Sequence, residues 1–232
     1  MQYIYETHCH TDESSGCGRI PGEEVGRLYK EAGYSGIVIT DHFNSHTYRA
    51  SGCETWEQFV DYNMIGYLAA KKYEDENFIV MHGIEIRFEN DNDNDYLVFG
   101  ITREWLLAHP FIYDLDDYDD FYKLAHADGL VVFQAHPFRD NITVANPNYL
   151  DGIEVFNGNV RHQSRCEIAL SWAYKYSLRI LSGSDFHEIE DFARGGIVTS
   201  RKVNNMDDFK KLLLDNDYSI KYGYDFTPKS ND

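Results

Sequence analysis

The sequence predicts one α/β domain on a largely parallel sheet, open or closed into a barrel. Strand-like apolar runs alternate with helix-like runs along most of the 232 residues, the order a parallel sheet requires. The composition, 43% hydrophobic and 15% aromatic, is enough to bury a sizeable core. No internal repeat and no Pro/Gly/Ser-rich linker divides the chain, so residues 1–223 read as one domain and 224–232 as a polar tail that frays.

Each element has its own signal. Residues 2–7, with Tyr3, Ile4 and Tyr5, read as a strand. Pro21 suits a first helical position, and Val25, Leu28, Tyr29 and Ala32 form one stripe, giving a helix over 21–33. A strand over 36–40 follows. A long helix over 56–73 carries Phe59, Tyr62, Ile65, Ala69 and Tyr73. Residues 78–88 and 96–101 read as strands, 117–127 as a helix and 130–134 as a strand. The strand 152–156, helix 161–176, strands 178–182 and 196–199, and helix 206–214 complete the alternation.

Bulk properties exclude several function classes. A formal net charge of −18 disfavours extended contact with nucleic-acid phosphates, which normally needs a basic surface. Bound divalent ions would reverse that sign locally, so an anionic substrate must be small enough to reach them. No run approaches the ~18–20 apolar residues of a membrane span, and the N-terminus lacks a signal-peptide pattern. Cys9, Cys17, Cys53 and Cys166 are irregularly spaced with no Cys-x-x-Cys pair, which favours free thiols in a cytoplasmic protein.

The chemistry concentrates where predicted strands end. In Glu6-Thr7-His8-Cys9-His10-Thr11 alternate side chains share a face, so His8 and His10 point one way and Cys9 the other. Two imidazoles so placed can grip one metal ion and leave coordination positions open. Ten histidines produce roughly 0.4 His-x-His pairs by chance, so this pair alone is only a hypothesis. Further strand ends raise it: Val38, Thr40 and His42 share a face, and Glu85 continues the face of Ile79, Met81 and Gly83. His136 follows the strand 130–134, and Asp185 and His187 follow 178–182. In α/β barrels such positions meet at the C-terminal mouth, and a multinuclear metal site explains them together. His82, His109, His126 and His162 are expected to be ordinary surface or core-edge residues.

In this order the motifs resemble those of the polymerase-and-histidinol-phosphatase (PHP) family. They are Glu6-Thr7-His8-Cys9-His10-Thr11, Thr40-Asp41-His42, Gly83-Ile84-Glu85, Ala135-His136-Pro137, Gly152-Ile153-Glu154-Val155-Phe156-Asn157 and Gly183-Ser184-Asp185-Phe186-His187. The resemblance implies a distorted (β/α)7 TIM-like barrel with two or three divalent metals at its mouth, hydrolysing phosphoesters. It implies that His8, His10, Glu85 and Asp185 hold a first metal. Glu85 and His136 would hold a second, and His42 and His187 would belong to a third.

The chain also departs from the family pattern. Glu6 stands where the first motif usually starts with Asp. Ser15 stands where a third-metal carboxylate or His is common, and Glu13 or Cys17 can substitute there. Asp95 stands where the family commonly has a His, and an Asp ligates with harder oxygen character. The run Asp91-Asn92-Asp93-Asn94-Asp95 lacks the Gly and Glu of a calcium loop, with Tyr96 and Thr102 in those places, and reads as a solvated acidic turn.

Phosphate recognition calls for cations beyond the metals. Arg139, just past His136, and Arg194, just past His187, are expected on loops facing the mouth, with Arg19 and Arg161 weaker candidates. The expected activity is metal-dependent hydrolysis of a small phosphomonoester or nucleotide by a hydroxide generated at the metals, which are Zn, Mn or Fe. Asp185 is expected to orient it and accept its proton, and His187 or His42 to protonate the leaving group. The rivals are a 3′→5′ exonuclease of the same family, amidohydrolase-type C–N hydrolysis, and a non-catalytic metal-stabilised interaction module. Neither a long nucleic acid nor a membrane is an expected partner.

Overall fold

Ten strands and eight α-helices make up residues 1–223 of a computed structural model, the described part of the chain; the 224–232 tail lies outside it. The first half comprises β1 (Tyr3–Glu6), α1 (Gly22–Glu31), β2 (Gly36–Ile39), β3 (His42–Phe43), α2 (Ser45–Ser51), α3 (Trp56–Asn63) and α4 (Ile65–Ala70). After it come β4 (Ile79–Arg87), β5 (Asp95–Phe99), α5 (Arg103–Ala108), α6 (Tyr118–Ala127) and β6 (Val131–Gln134). The last part holds β7 (Gly152–Asn157), α7 (Cys166–Tyr176), β8 (Arg179–Gly183), β9 (Ile197–Thr199), α8 (Met206–Asp215) and β10 (Ser219–Ile220).

The strands run in the order β10-β9-β1-β2-β4-β5-β6-β7-β8, with β3 pairing β4 off that path. The sheet curls into a nearly closed barrel, as expected. Its distortion comes from antiparallel pairs: β5 opposes both β4 and β6, and β9 opposes β1 and β10. Side-chain bonds help to close the seam beside β8, where the Ser182 hydroxyl donates to Lys221 O and the Tyr218 hydroxyl to Ile180 O.

Strand alternation sorts the side chains. Tyr5, Val38, Met81, Leu97, Phe99, Val131, Phe133 and Leu181 fill the barrel interior, and Phe209, Leu212 and Leu213 of α8 join this cluster. Odd-numbered β4 residues continue upward from Met81 to Glu85, so the strand that supplies the core supplies a ligand two steps above Gly83. Outward residues such as Ile84, Val98, Val132 and Ile153 pack under α3, α5, α6 and α7 in a second, aromatic-rich cluster.

Two predicted helices are shorter than expected. The 56–73 helix breaks at Met64 into α3, α4 and a 3₁₀ turn at Lys71–Tyr73. The break lets the backbone of Gly66 and Ala70 lie against Gly22 and Gly26 of α1, where a Cβ on either α1 glycine would collide. The 161–176 helix starts only at Cys166, because Arg161 is drawn to Asp191 and Arg165 takes a left-handed conformation. The sequence reading missed α2, α5, β3 and β10, which are too short to show a period. Among the described residues no helix is long and apolar enough to cross a membrane.

Candidate metal centre and active site

The mouth forms where the chain runs past β1 and β8. Cys9 bridges Phe186 in parallel, His10 N donates to Phe186 O, and Phe186 N donates to His8 O. This pairing brings His8 and His10 against Asp185 and His187. Glu6 secures it from below: its carboxylate accepts from the backbone N–H of Thr7, His8 and Ser184 at 2.8–3.1 Å. Burial raises the Glu6 pKa against those hydrogen bonds. Asp185 (φ +48°) and His136 (φ +29°) both occupy left-handed backbone, a strain common where a side chain is aimed at a site.

Hydrogen bonds assign the imidazole protons. His8 Nδ1 lies 2.9 Å from Glu154 Oε1 and donates to it, leaving Nε2 with a lone pair. His10 Nδ1 donates to Ser15 Oγ at 3.1 Å, and that hydroxyl gives its own proton to Asp41 Oδ1 at 2.8 Å. Both Nε2 atoms are therefore acceptors, yet they sit 3.1 Å apart. Each is also 3.3–3.4 Å from a Glu85 oxygen and from Asp185 Oδ1. Neighbouring ligands of an ion held at about 2.0–2.1 Å stand ~3.0–3.4 Å apart. Four proton-free donors at that spacing fit a cation between them.

Glu85 extends the centre on both sides. Its Oε1 is 3.1 Å from His136 Nε2, and its Oε2 is 2.9 Å from His42 Nδ1 but not aligned for a hydrogen bond. Groups able to share an ion are His8, His10 and Asp185; His42, Glu85 and Asp95; and His10, His42 and His187. Burial disfavours charge on His8, His42, Glu85, Asp185 and His187, yet each sign holds the other. Asp185, Glu154 and Glu85 raise His8 well above the usual histidine range, so a positive charge is favoured at its Nε2 and a cation there would take the place of a proton. His8, Arg139 and His187 keep Asp185 well below the carboxylate range.

Asp95 stands at the margin. Arg87, its partner across the β4–β5 ladder, holds it through two bonds of 2.8 and 2.6 Å, and His136 Nε2 is 3.8 Å away. Asp91 accepts from the Tyr96 hydroxyl and Asp93 pairs with Arg87, so this acidic stretch is occupied by protein partners.

Ser15 is bound to His10, Asp41 and His42 N, so it orients a ligand from behind. Glu13 turns away to accept from Gly22 N at the start of α1. Cys17 faces the centre, its Sγ 3.1 Å from His187 Nε2. Burial pushes the Cys17 thiol up, but interaction with His187 and His42 draws it down to about 4. Burial likewise lowers His187, and Asp185 and Cys17 overcome this, raising it to about 10.

A cleft of about 430 Å³ opens above the centre, lined by Arg19, Arg139, Arg161 and His162 among others. Arg139 reaches Asp185 Oδ2 at 2.6 Å and Asn157 Oδ1 at 2.8 Å, while its buried Nε has no hydrogen-bond partner. Arg194 does not line the cleft, against expectation. Ala193 turns the chain with φ +55° and Gly195 packs on the backbone of Gly183, which sends Arg194 across Gly158 toward Gly223. His162, set aside as ordinary from sequence, lies on the cleft wall. A larger cleft of about 880 Å³ at the opposite end of the barrel, near Tyr3, Tyr67 and His82, holds none of the metal-ligand groups found among the described residues.

Sequence reasoning assigned no role to Glu154 or Asp41, though both fall inside motifs it singled out. The usable signal was alternation: Glu154 lies on the same strand face as Gly152, toward the interior, and so toward His8.

Residues 6–224 match the model of the PHP domain. No curated protein matches the sequence. A two-domain protein from Bacteroides vulgatus containing a predicted PHP-like metal-dependent phosphoesterase superposes with a TM-score of 0.69 at 17% identity, over 96% of this chain and 65% of that one. This chain thus spans less than two thirds of that protein's length. PsfC from Pseudomonas syringae gives a TM-score of 0.70 at 14% identity, over 96% and 92% of the two chains. The lesion-specific endonuclease PfuEndoQ from Pyrococcus furiosus gives 0.59 at 13% identity, over 93% and 56%. A barrel whose mouth gathers the ordered His, Asp and Glu motifs, matched by the domain model over almost its whole length, belongs to the PHP domain family.

Proposed function

We propose that this chain is a metal-dependent phosphoesterase acting on a small phosphomonoester or short nucleotide in the cytoplasm. The convergence of proton-free donors from His8, His10, Glu85 and Asp185 beside Arg139 carries this reading. His8, His10, Glu85 and Asp185 would hold one divalent ion. Glu85 and His136, with Asp95 at the edge, would hold another, and His42 and His187 would contribute to a third. When bound, Zn, Mn or Fe there supplies Lewis acidity toward phosphoryl oxygens and an acidified water.

The chain's own groups do the rest. Asp185 orients the attacking water through Oδ1 and accepts its proton, while Arg139 keeps Oδ2 fixed. Arg139 lines the cleft beside Asp185, placed to take an equatorial phosphoryl oxygen as charge develops. Arg161 and Arg19 on the cleft wall supply further positive charge for the substrate. While the third position is unfilled, His187, held as a cation by Asp185, has the proton that a leaving alkoxide requires.

Hydrolysis within nucleic acids is the second reading, favoured by the fold likeness to the P. furiosus endonuclease. The net charge of −18 and the cleft volume of about 430 Å³ favour the small substrate. The test is elemental analysis of protein purified without chelator, followed by a panel of small phosphoesters. Metal at one or more ions per chain with turnover of a phosphomonoester is expected. Full metal occupancy without turnover of any phosphoester would overturn the proposal.

A further inference from the structure

We infer that the Cys17 sulfur, with His42 and His187, ligates an ion at the outer edge of the centre, placing a sulfur donor in a site otherwise made of nitrogen and oxygen. The inference rests on the metal-centre reading above and adds a ligand to it.

Geometry singles out Cys17. Its Sγ lies 3.1 Å from His187 Nε2, and Cys17, His42 and His187 line the same cleft. The two alternatives from the same loop are committed elsewhere. Ser15 Oγ is taken by His10 Nδ1, Asp41 Oδ1 and His42 N, and Glu13 by Gly22 N. The turn that presents the thiol is held at both ends: Gly18 N donates to Ser15 O at 2.8 Å, and Arg19 N to His187 O at 2.9 Å. Gly18 also lies so close to Thr11 that a side chain there would strike its carbonyl. A second feature points to a cation on the same face. Glu85 is fully buried, and its Oε2, 2.9 Å from His42 Nδ1, has no hydrogen bond.

On binding, the proton shared between Cys17 Sγ and His187 Nε2 leaves to solvent as the metal–sulfur and metal–nitrogen bonds form, with no change of oxidation state. A thiolate with two imidazoles is a softer set than the carboxylate-rich part of the centre, so this position favours Zn over Mn. Alkylation or oxidation of one exposed thiol would then empty one metal position and leave the others filled.

Cobalt(II) reads the inference directly. Cobalt-loaded wild-type protein is expected to show a sulfur-to-cobalt charge-transfer band in the near ultraviolet alongside its visible ligand-field bands. Cys17→Ser is expected to lose that band and one ion per chain, whereas Cys9→Ser, Cys53→Ser and Cys166→Ser keep both. Cys17→Asp is expected to retain the ion without the band. Ligand-field bands in wild type with no charge-transfer band, or a band that survives Cys17→Ser, would overturn the role of Cys17 and leave the metal centre standing. Failure of the wild-type chain to bind cobalt at all would overturn both.

Discussion

Glu154 fixes the tautomer of His8 as Ser15 and Asp41 fix that of His10, so neither ligand is set by its own strand alone. Glu154→Gln preserves the shape but replaces a charged acceptor, and loss of such a partner typically costs 10–100-fold in metal affinity. Competition with a chromophoric chelator should read a loss of roughly that size. Asp185 is assigned to the reacting water rather than to substrate anchoring. Asp185→Asn should therefore cut kcat by roughly 10²–10⁴-fold with a much smaller rise in KM. Metal content must be measured alongside, and near-normal kcat at full occupancy would transfer the role to His187. Away from the centre, burial draws His82 from 6.5 down to about 4. The unfolded chain then binds the extra proton between those values, so this stability is intact above pH 6.5 and is lost as pH falls toward 4. Between pH 7 and 5 wild type should lose about 1–2 kcal/mol more than His82→Gln in denaturant titrations.

The broken helix at Met64 has a purpose in the site. Gly66 of α4 lies against the Thr11 hydroxyl, which donates to Asp41 Oδ2 at 2.7 Å, and Asp41 in turn holds Ser15 behind His10. A Cβ at position 66 would overlap that hydroxyl. Gly66→Ala should lower stability by about 1–3 kcal/mol through overpacking. It should also weaken metal binding, although the residue touches no ligand. Unchanged metal affinity in a folded Gly66→Ala protein would show that the α4–Thr11–Asp41 contacts do not reach the centre. An uninterrupted apolar stripe could not reveal this break, because the close approach of α1 to α4 depends on where the two helices cross.

For the molecule as a whole, the mouth concentrates carboxylates and imidazoles that an ion would neutralise together. Removing metal with a chelator should lower the thermal midpoint. At free metal a hundred times its dissociation constant the linkage is worth about 2.7 kcal/mol. In a chain of this size that corresponds to a shift of roughly 5–10 °C, restored by adding the ion back. The acidic surface should set the substrate preference as well. Hydrolysis of small phosphoesters is expected to exceed that of long single-stranded DNA at physiological salt, and processive digestion of the polymer at the higher rate would reverse that assignment.

The sequence by itself determined the alternation of strands and helices and the positions of the principal ligand candidates, while the barrel was implied only by the family resemblance of its motifs. Period-two patterning and polar residues at strand ends are local properties, legible without knowing which strands meet. Only the tertiary structure decided the antiparallel course of β5 and β9, since a strand's direction depends on its partners and not on its own residues. The same holds for the arginines. Arg139 and Arg194 each follow a ligand motif at short range, but the left-handed turn at Ala193 carries one of them away from the cleft. Glu154, Asp41 and Cys17 acquire their roles through contacts with residues 26 to 170 positions distant. Chain folding brings such partners together, and no local pattern in the sequence records the meeting.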